Sequence, residues 1–474
     1  MRALLLFALV LAAGCGRSGV LFPGDERGPI DVPFPHAPGD GNEEAPKAFA
    51  TEWVVTLGGV EDDAANAIAL GFGRVALAGS FRGEADLGDS AITTADGADD
   101  AFVAVLATAG GAYAWHAVAG GTAADVAQAV SVDPDGRVVM GGRVDSATAD
   151  LGFGSVFGSG DGEGDRFVTA YTAAGAPLWA NLSLFAGRDE VYAMSWTGFV
   201  FAAGDEDASA SDVDSSLERR NAVGGVVVGG VNHQAAAADE HLRATAANAA
   251  ASVYLGAGFF TGDATYAGAA VTAQAEDAIA FHAVTAGAVD WHFQLGGSGN
   301  DRATAVAHTP LGWVIAGEFE GTALVAGTSM IAAGGTDVFV ALVDDADGSL
   351  LWVRRAGGPG DDHVAGAGEA NGIVQIAGTY EGVFLPGGGL DPLAPATAGS
   401  FVMAFDALGS GKPLAVSRIS GEGVLVTGLA VGANGDAYLS GSFTGAADLG
   451  LGSVETSAGG SDAFALRGRL ELFR

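Results

Sequence analysis

Cysteine is almost absent: the 474-residue chain has one, Cys15, so no disulfide framework can form within it. Cations are scarce too, with 21 Lys plus Arg against 57 Asp plus Glu and a formal charge of −36. That balance argues against a nucleic-acid binder, which needs basic patches to displace counterions from phosphate. The apolar run at the N-terminus, Ala3 to Ala13, has eleven residues, too few for the roughly 20 of a membrane-spanning helix. No segment shows a sustained helical period with caps, which leaves strands as the economical secondary structure. Glycine is what the chain has in plenty, 77 residues, yet Gly and Pro together are 91 of 474. That share, about 19%, lies below the roughly 25–30% of aperiodic disordered chains. With 49% hydrophobic residues, the glycine is structural and large cores are possible.

Met1-Arg2, the apolar run and the small residues Ala12-Ala13-Gly14-Cys15 form the three parts of an export signal. Leu11-Ala12-Ala13-Gly14-Cys15 resembles the lipobox of bacterial lipoproteins, with Ala12 where Leu is commonest. The resemblance implies cleavage after residue 14 and a covalent lipid on Cys15. Cleavage by ordinary signal peptidase near Gly14 is the alternative. Residues 15–50 are rich in Gly, Pro and charge, including Pro23, Pro29, Pro33, Pro35 and Pro38, and read as a flexible tether. Gly16 stands where an Asp tends to retain such lipoproteins in the inner membrane. The resemblance therefore implies an outer-membrane address, on the periplasmic face or the cell surface.

Residues 51–474 repeat. Trp53, Trp115, Trp179, Trp291 and Trp352 recur at spacings near 61 residues or twice that, and a further interval lands on Leu414; counting an unmarked unit near residue 234, seven repeats fit. Gly-Gly follows each of several tryptophans, then an Asp four residues on: Asp63, Asp125, Asp301 and Asp362. Strands of period-two alternation come next, as in Val75 to Phe81 and Ala437 to Phe443. Asp135-Gly136, Asn371-Gly372 and Asn434-Gly435 precede such strands and read as tight hairpin turns with both residues at positive φ. An Asp-x-Phe strand closes the unit at Asp100, Asp165, Asp337 and Asp462. About four strands per unit and seven units predict an all-β fold, a seven-bladed β-propeller of four-stranded blades. The chain enters at a Trp-type strand, Trp53 to Leu57, and stops after an Asp-x-Phe strand, Asp462 to Arg469. Pairing of these two closes the ring and leaves no open edge.

With Asp86-Leu87-Gly88, Asp150-Leu151-Gly152 and Asp448-Leu449-Gly450, the pattern resembles the bacterial seven-bladed β-propeller (SBBP) repeat. The family implies an extracytoplasmic propeller and says little about function. The third and fourth units depart most: Ala222-Val223-Gly224-Gly225 stands for the Asp-x-Phe element, and Asn232 to Ala238 has lost its Trp.

Chemistry is sparse. Asp63, Asp125, Asp301 and Asp362 read as acceptors of turn N–H groups rather than as cation ligands. The eight histidines show no paired metal-ligand spacing. Asp344-Asp345-Ala346-Asp347-Gly348 distantly resembles a calcium loop without its distal Glu. Gly204 to Asp214 reads as a solvated loop, or alternatively as a weak cation site on Asp205, Asp207, Asp212 and Asp214. The expectation is a non-catalytic, monomeric, lipid-anchored envelope protein that binds a protein or glycan, with no cofactor. The alternatives are a propeller enzyme, quinoprotein-like or lyase, and a component of the outer-membrane assembly machinery. The Gly-x-x-x-Trp turn does resemble the tryptophan-docking repeat of quinoproteins.

Overall fold

The computed structural model describes residues 49–472, apart from 89–90, 94–97, 159–162, 185–187, 197–199, 210–211, 222–223, 234–238, 249–252, 285–287 and 420–422. Cys15, the export signal and the tether up to residue 48 lie outside the described residues. The described chain is all strand and turn, with no helix, in a β-propeller arrangement.

Alternation of apolar residues builds one recurring hairpin. It is formed by Ala64–Gly71 with Arg74–Arg82, Asp125–Val132 with Val138–Val144, Glu190–Trp196 with Val200–Ser209, and Glu240–Ala247 with Val253–Phe260. It returns as Arg302–Thr309 with Gly312–Val325, Asp362–Ala370 with Ile373–Phe384, and Val424–Val431 with Ala437–Asp448. Each has a bulge in its first strand, beside a glycine of the second: Gly79, Gly142, Gly204, Gly258, Gly317, Gly378 and Gly441. A methyl group at any of these glycines would overlap a carbonyl oxygen of the first strand, so the extra residue fits only where a side chain is missing. The first strands touch one another in chain order, and Val424–Val431 returns to Ala64–Gly71, which makes the set a closed ring.

Further strands extend the hairpins outward, in sheets such as Asp125–Val132, Val138–Val144, Asp165–Tyr171 and Pro177–Ser183. The last sheet is completed from the other end of the described chain. Phe49–Gly59 lies antiparallel to Val454–Leu470, from Phe49 opposite Leu470 to Leu57 opposite Ala463, the pairing expected from the sequence. Side chains stitch this seam: Thr51 Oγ1 donates to Leu449 O at 3.0 Å, and Arg467 Nη1 to Thr108 O at 3.2 Å. Arg467 and Arg469 both hold the buried Asp436 carboxylate.

The structure corrects several sequence assignments. Gly204 to Asp214, read as a loop, lies mostly in strands: Val200–Ser209 and Asp212–Arg220 pair, Asp205 opposite Ser215 and Asp207 opposite Val213, while residues 210–211 lie outside the described residues. The dense acidic residues there hide a pairing that only the backbone register shows. Glu206 opposite Asp214 matches Phe81 opposite Asp100, each two residues past its bulge glycine, so Asp214-Ser215-Ser216 occupies the Asp-x-Phe position. Of the segment read as that element, Ala222 and Val223 lie outside the described residues, and Gly225 N donates to Asn221 O in a turn. Register puts Gly229 at the missing Trp of this unit, and Ala415, not Leu414, at the missing Trp near the end. Among the three dipeptide turns, both residues have positive φ at Asn371-Gly372, whereas at Asp135-Gly136 and Asn434-Gly435 the glycine alone does.

Candidate functional site on the inner rim

The ring's first strands start at one rim, and their second and fourth residues there differ from repeat to repeat. At Asn66, Thr304 and Thr427 the fourth-position side chain donates to the next first strand, to Ala127 O at 3.0 Å, Val364 O at 2.9 Å and Ala65 O. Between the third and fourth hairpins that clasp is replaced by an aromatic and charged cluster. The Arg243 guanidinium lies 3.8 Å over the Tyr192 ring and 5.2 Å from the Phe259 ring, a cation–π sandwich. Its Nη1 donates to Asp205 Oδ2 at 3.0 Å, and His241 Nδ1 sits 2.8 Å from the same oxygen. Asp205 is thus a buried counterion that also accepts from Leu242 N, so of the four acidic candidates it is committed to protein partners. Asp207, Asp212 and Asp214 lie in the paired strands, with side chains outside the described residues.

The cluster continues along the rim. Arg188 reaches Glu190 at 3.1 Å, Arg302 pairs with Glu276 and sits 5.0 Å from Phe259, and His363 Nδ1 meets Glu318 Oε2 at 2.8 Å. Hydrogen bonding to Glu318 raises the His363 pKa, and Glu276 does the same for Arg302. The cations face outward and the carboxylates lie beneath: the Arg188 side chain is 58% exposed and Glu190 2%, His363 50% and Glu318 12%. On an acidic chain, this arc presents guanidinium and imidazole groups to solvent, with the Tyr192 ring beneath Arg243. Such groups suit recognition by charge and stacking.

The four aspartates after Gly-Gly are buried at the base of the same strands, at 0–1% exposure. Gly59 N donates to Asp63 Oδ2 at 2.6 Å, Gly121 N to Asp125 Oδ2 at 2.7 Å and Gly358 N to Asp362 Oδ2 at 2.7 Å, while Asp301 Oδ1 accepts from Glu320 N at 3.2 Å. Burial pushes Asp63 up to about 6, and Asp301 and Asp362 up to about 7. Register adds two acids that spacing missed, Asp189 and Glu240, in the same place.

The repeat tryptophans lie away from this rim chemistry and join neighbouring repeats. Trp53 Nε1 donates to Thr108 O at 3.1 Å, Trp115 Nε1 to Ala173 O at 3.0 Å and Trp291 Nε1 to Asp345 O at 3.1 Å. Their rings, with those of Trp179 and Trp352, cover Gly111, Gly175, Gly348, Gly225 and Gly411 of the following repeat so closely that a Cβ would collide. In the last sheet the corresponding strands come from distant parts of the sequence, no such glycine turn joins them, and Ala415 stands in place of Trp. In the 344–348 turn, Asp344 Oδ1 accepts from Ala346 N at 2.9 Å and Asp345 Oδ1 from Trp313 Nε1 at 2.6 Å, so these carboxylates serve the turn and its neighbours. His282 joins the same cluster, stacked 4.7 Å from Trp291 with Nδ1 2.6 Å from Asp290. The described residues contain no group of three His, Cys, Asp or Glu arranged to hold a metal.

No family model matches the chain, and no curated protein sequence matches it. Solved structures do. Sqt1 from Chaetomium thermophilum is 13% identical with a TM-score of 0.42, covering 83% of each chain. BamB from Moraxella catarrhalis is 13% identical with a TM-score of 0.37, over 88% of this chain and 99% of that one. The quinohemoprotein alcohol dehydrogenase from Comamonas testosteroni is 11% identical with a TM-score of 0.40, over 84% of this chain and 66% of the other.

Proposed function

We propose that the chain is a seven-bladed β-propeller of four-stranded blades, of the SBBP-repeat type, acting as a non-catalytic binding or scaffold protein of the bacterial outer membrane and tethered there as a monomer by lipid on Cys15. The seven bulged hairpins with touching first strands support the blade count. The observation that carries the binding role is the rim arc from Arg188 to His363. There the repeat's small residues give way to exposed cations backed by carboxylates, on a scaffold otherwise built for packing. Several acyl chains together give stable anchoring, so lipid on Cys15 would hold the ring at a membrane surface.

Affinity capture from native membranes tests the reading, comparing wild type with Arg188→Ala/Arg302→Ala. Loss of a partner from the double variant, with an unchanged circular-dichroism melt, supports the rim. Full retention of every partner contradicts it. Radiolabelled palmitate should enter wild type and not Cys15→Ser. A second reading, a quinoprotein-like enzyme, is favoured by the docking of each Trp on the next repeat's turn glycine. Redox activity of the chain after incubation with a quinone cofactor would support that reading instead.

A further inference from the structure

Acids recur in pairs at equivalent strand positions, one from each side of a junction between repeats. The third-strand positions Asp462, Asp100, Asp165, Asp214, Asp277 and Asp337 are followed, in the next repeat, by Asp63, Asp125, Asp189, Glu240, Asp301 and Asp362. At the remaining junction both acids are missing together: Gly399 and Val424 hold the two positions. Ser400 Oγ there donates to Val424 O at 2.8 Å and accepts from Val426 N at 3.0 Å. Joint presence at six junctions and joint absence at the seventh mark the two acids as one device. Two independent turn acceptors would be lost separately.

Geometry brings the partners together. A Cβ built on Gly58 would stand 2.8 Å from Asp63 Oδ2 and 2.9 Å from Asp462 Oδ1, and one on Gly357 would stand 2.7 Å from both Asp337 Oδ1 and Asp362 Oδ2. Asp462 Oδ1 and Asp337 Oδ1 are buried and accept no hydrogen bond. Two buried carboxylates this close cannot both ionise cheaply. We propose that the pairs Asp63–Asp462, Asp277–Asp301 and Asp337–Asp362 each carry a proton in the folded ring, so that these three junctions form a proton-dependent clasp that tightens in acid and loosens as pH rises.

The charges that face these three pairs are mostly acidic. Asp62 faces Asp63, Glu320 faces Asp301, and Asp361 faces Asp362; the cations are Arg355, 3.4 Å from Asp337 Oδ2, and His363 beside Asp362. Gln294 Nε2 donates to Asp277 Oδ2 at 2.7 Å, and Arg82 and Gly59 offer Asp63 their main-chain N–H groups. Burial, the largest influence throughout, raises Asp277 and Asp462 and pushes Asp337 up to about 6. An acid raised in the fold from its ordinary 3.8 to about 6 or 7 favours folding fully below the lower value. It loses that contribution as pH climbs through the upper one.

Thermal melts of the whole protein at about pH 5 and pH 8.5, in roughly 1 M NaCl to screen surface charge, read the clasp. Wild type should melt several degrees lower at pH 8.5. Asp337→Asn/Asp462→Asn, which keeps an acceptor oxygen for Ala333 N and Ala458 N, should lose less than half as much. The exposed control Asp391→Asn should lose as much as wild type. An undiminished loss in the double variant overturns the proposal. So does recovery of the wild-type melt at pH 8.5 by calcium, which would make the pairs cation sites. If the double variant fails to fold, infrared spectra of wild type decide: a protonated-carboxyl carbonyl band present at pH 5 and gone at pH 8.5 supports the clasp, and its absence at pH 5 contradicts it.

Discussion

At the residue scale, the repeat is a set of close approaches between small and large groups. Trp115 lies against Gly175 of the next repeat and donates to Ala173 O. Trp115→Ala removes the ring and its hydrogen bond from a site 8% exposed, and should cost about 3–5 kcal/mol, read as a lowered urea midpoint. An unchanged midpoint would mean that the docking contributes nothing. The Trp and Gly marks were legible in the sequence because each returns at a fixed interval. The acid pairs were half legible. Asp63, Asp125, Asp301 and Asp362 follow a Gly-Gly signal, but Asp189 and Glu240 do not, and only strand register places them. The Asp-Leu-Gly element keeps one geometry three times: Gly88, Gly152 and Gly450 N each donate to the preceding Asp Oδ1 at 2.8 Å.

At the element scale, the third hairpin is where sequence reading went furthest astray. Its strands carry so many acids that composition suggested a loop, and the loss of Trp to Gly229 and of Phe to Ser216 removed the landmarks. The ladder persists because backbone pairing and the Gly204 bulge need neither. The hairpin therefore divides into a dispensable tip and an essential base. Replacing residues 206–213 with a short Gly-Ser turn keeps the Gly204 bulge and Asp205 and should destabilise by less than about 1 kcal/mol, read in a thermal melt. Asp205→Ala, by contrast, strips the counterion from His241 and Arg243, and should destabilise by about 1–3 kcal/mol. Equal effects of the two changes would show that the rim cluster is not organised by Asp205. The cluster itself was invisible in the sequence because Tyr192, Asp205, His241, Arg243 and Arg302 are separated by strands and meet only when neighbouring hairpins stand side by side.

At the scale of the whole molecule, the ring depends on a strand delivered from the far end of the described chain. This was legible, since a Trp-type strand without a preceding partner and an Asp-x-Phe strand without a follower imply each other. Deleting residues 49–57 would expose the edge of Val454–Leu470 and remove Trp53 and Leu57 from the core; the variant should elute as associated species, as open edges do. A monomer with the wild-type melt would contradict this.

The most direct test of the closed ring is a covalent staple across its seam. Val55 lies opposite Ala465 in the ladder, and Val55→Cys/Ala465→Cys in a Cys15→Ser background would join the first and last strands. Closure predicts a monomer that oxidises to an intramolecular disulfide and gains about 4–5 kcal/mol, because so long a loop is fixed in the unfolded state. Free thiols, or disulfides found only between molecules, would contradict the closure.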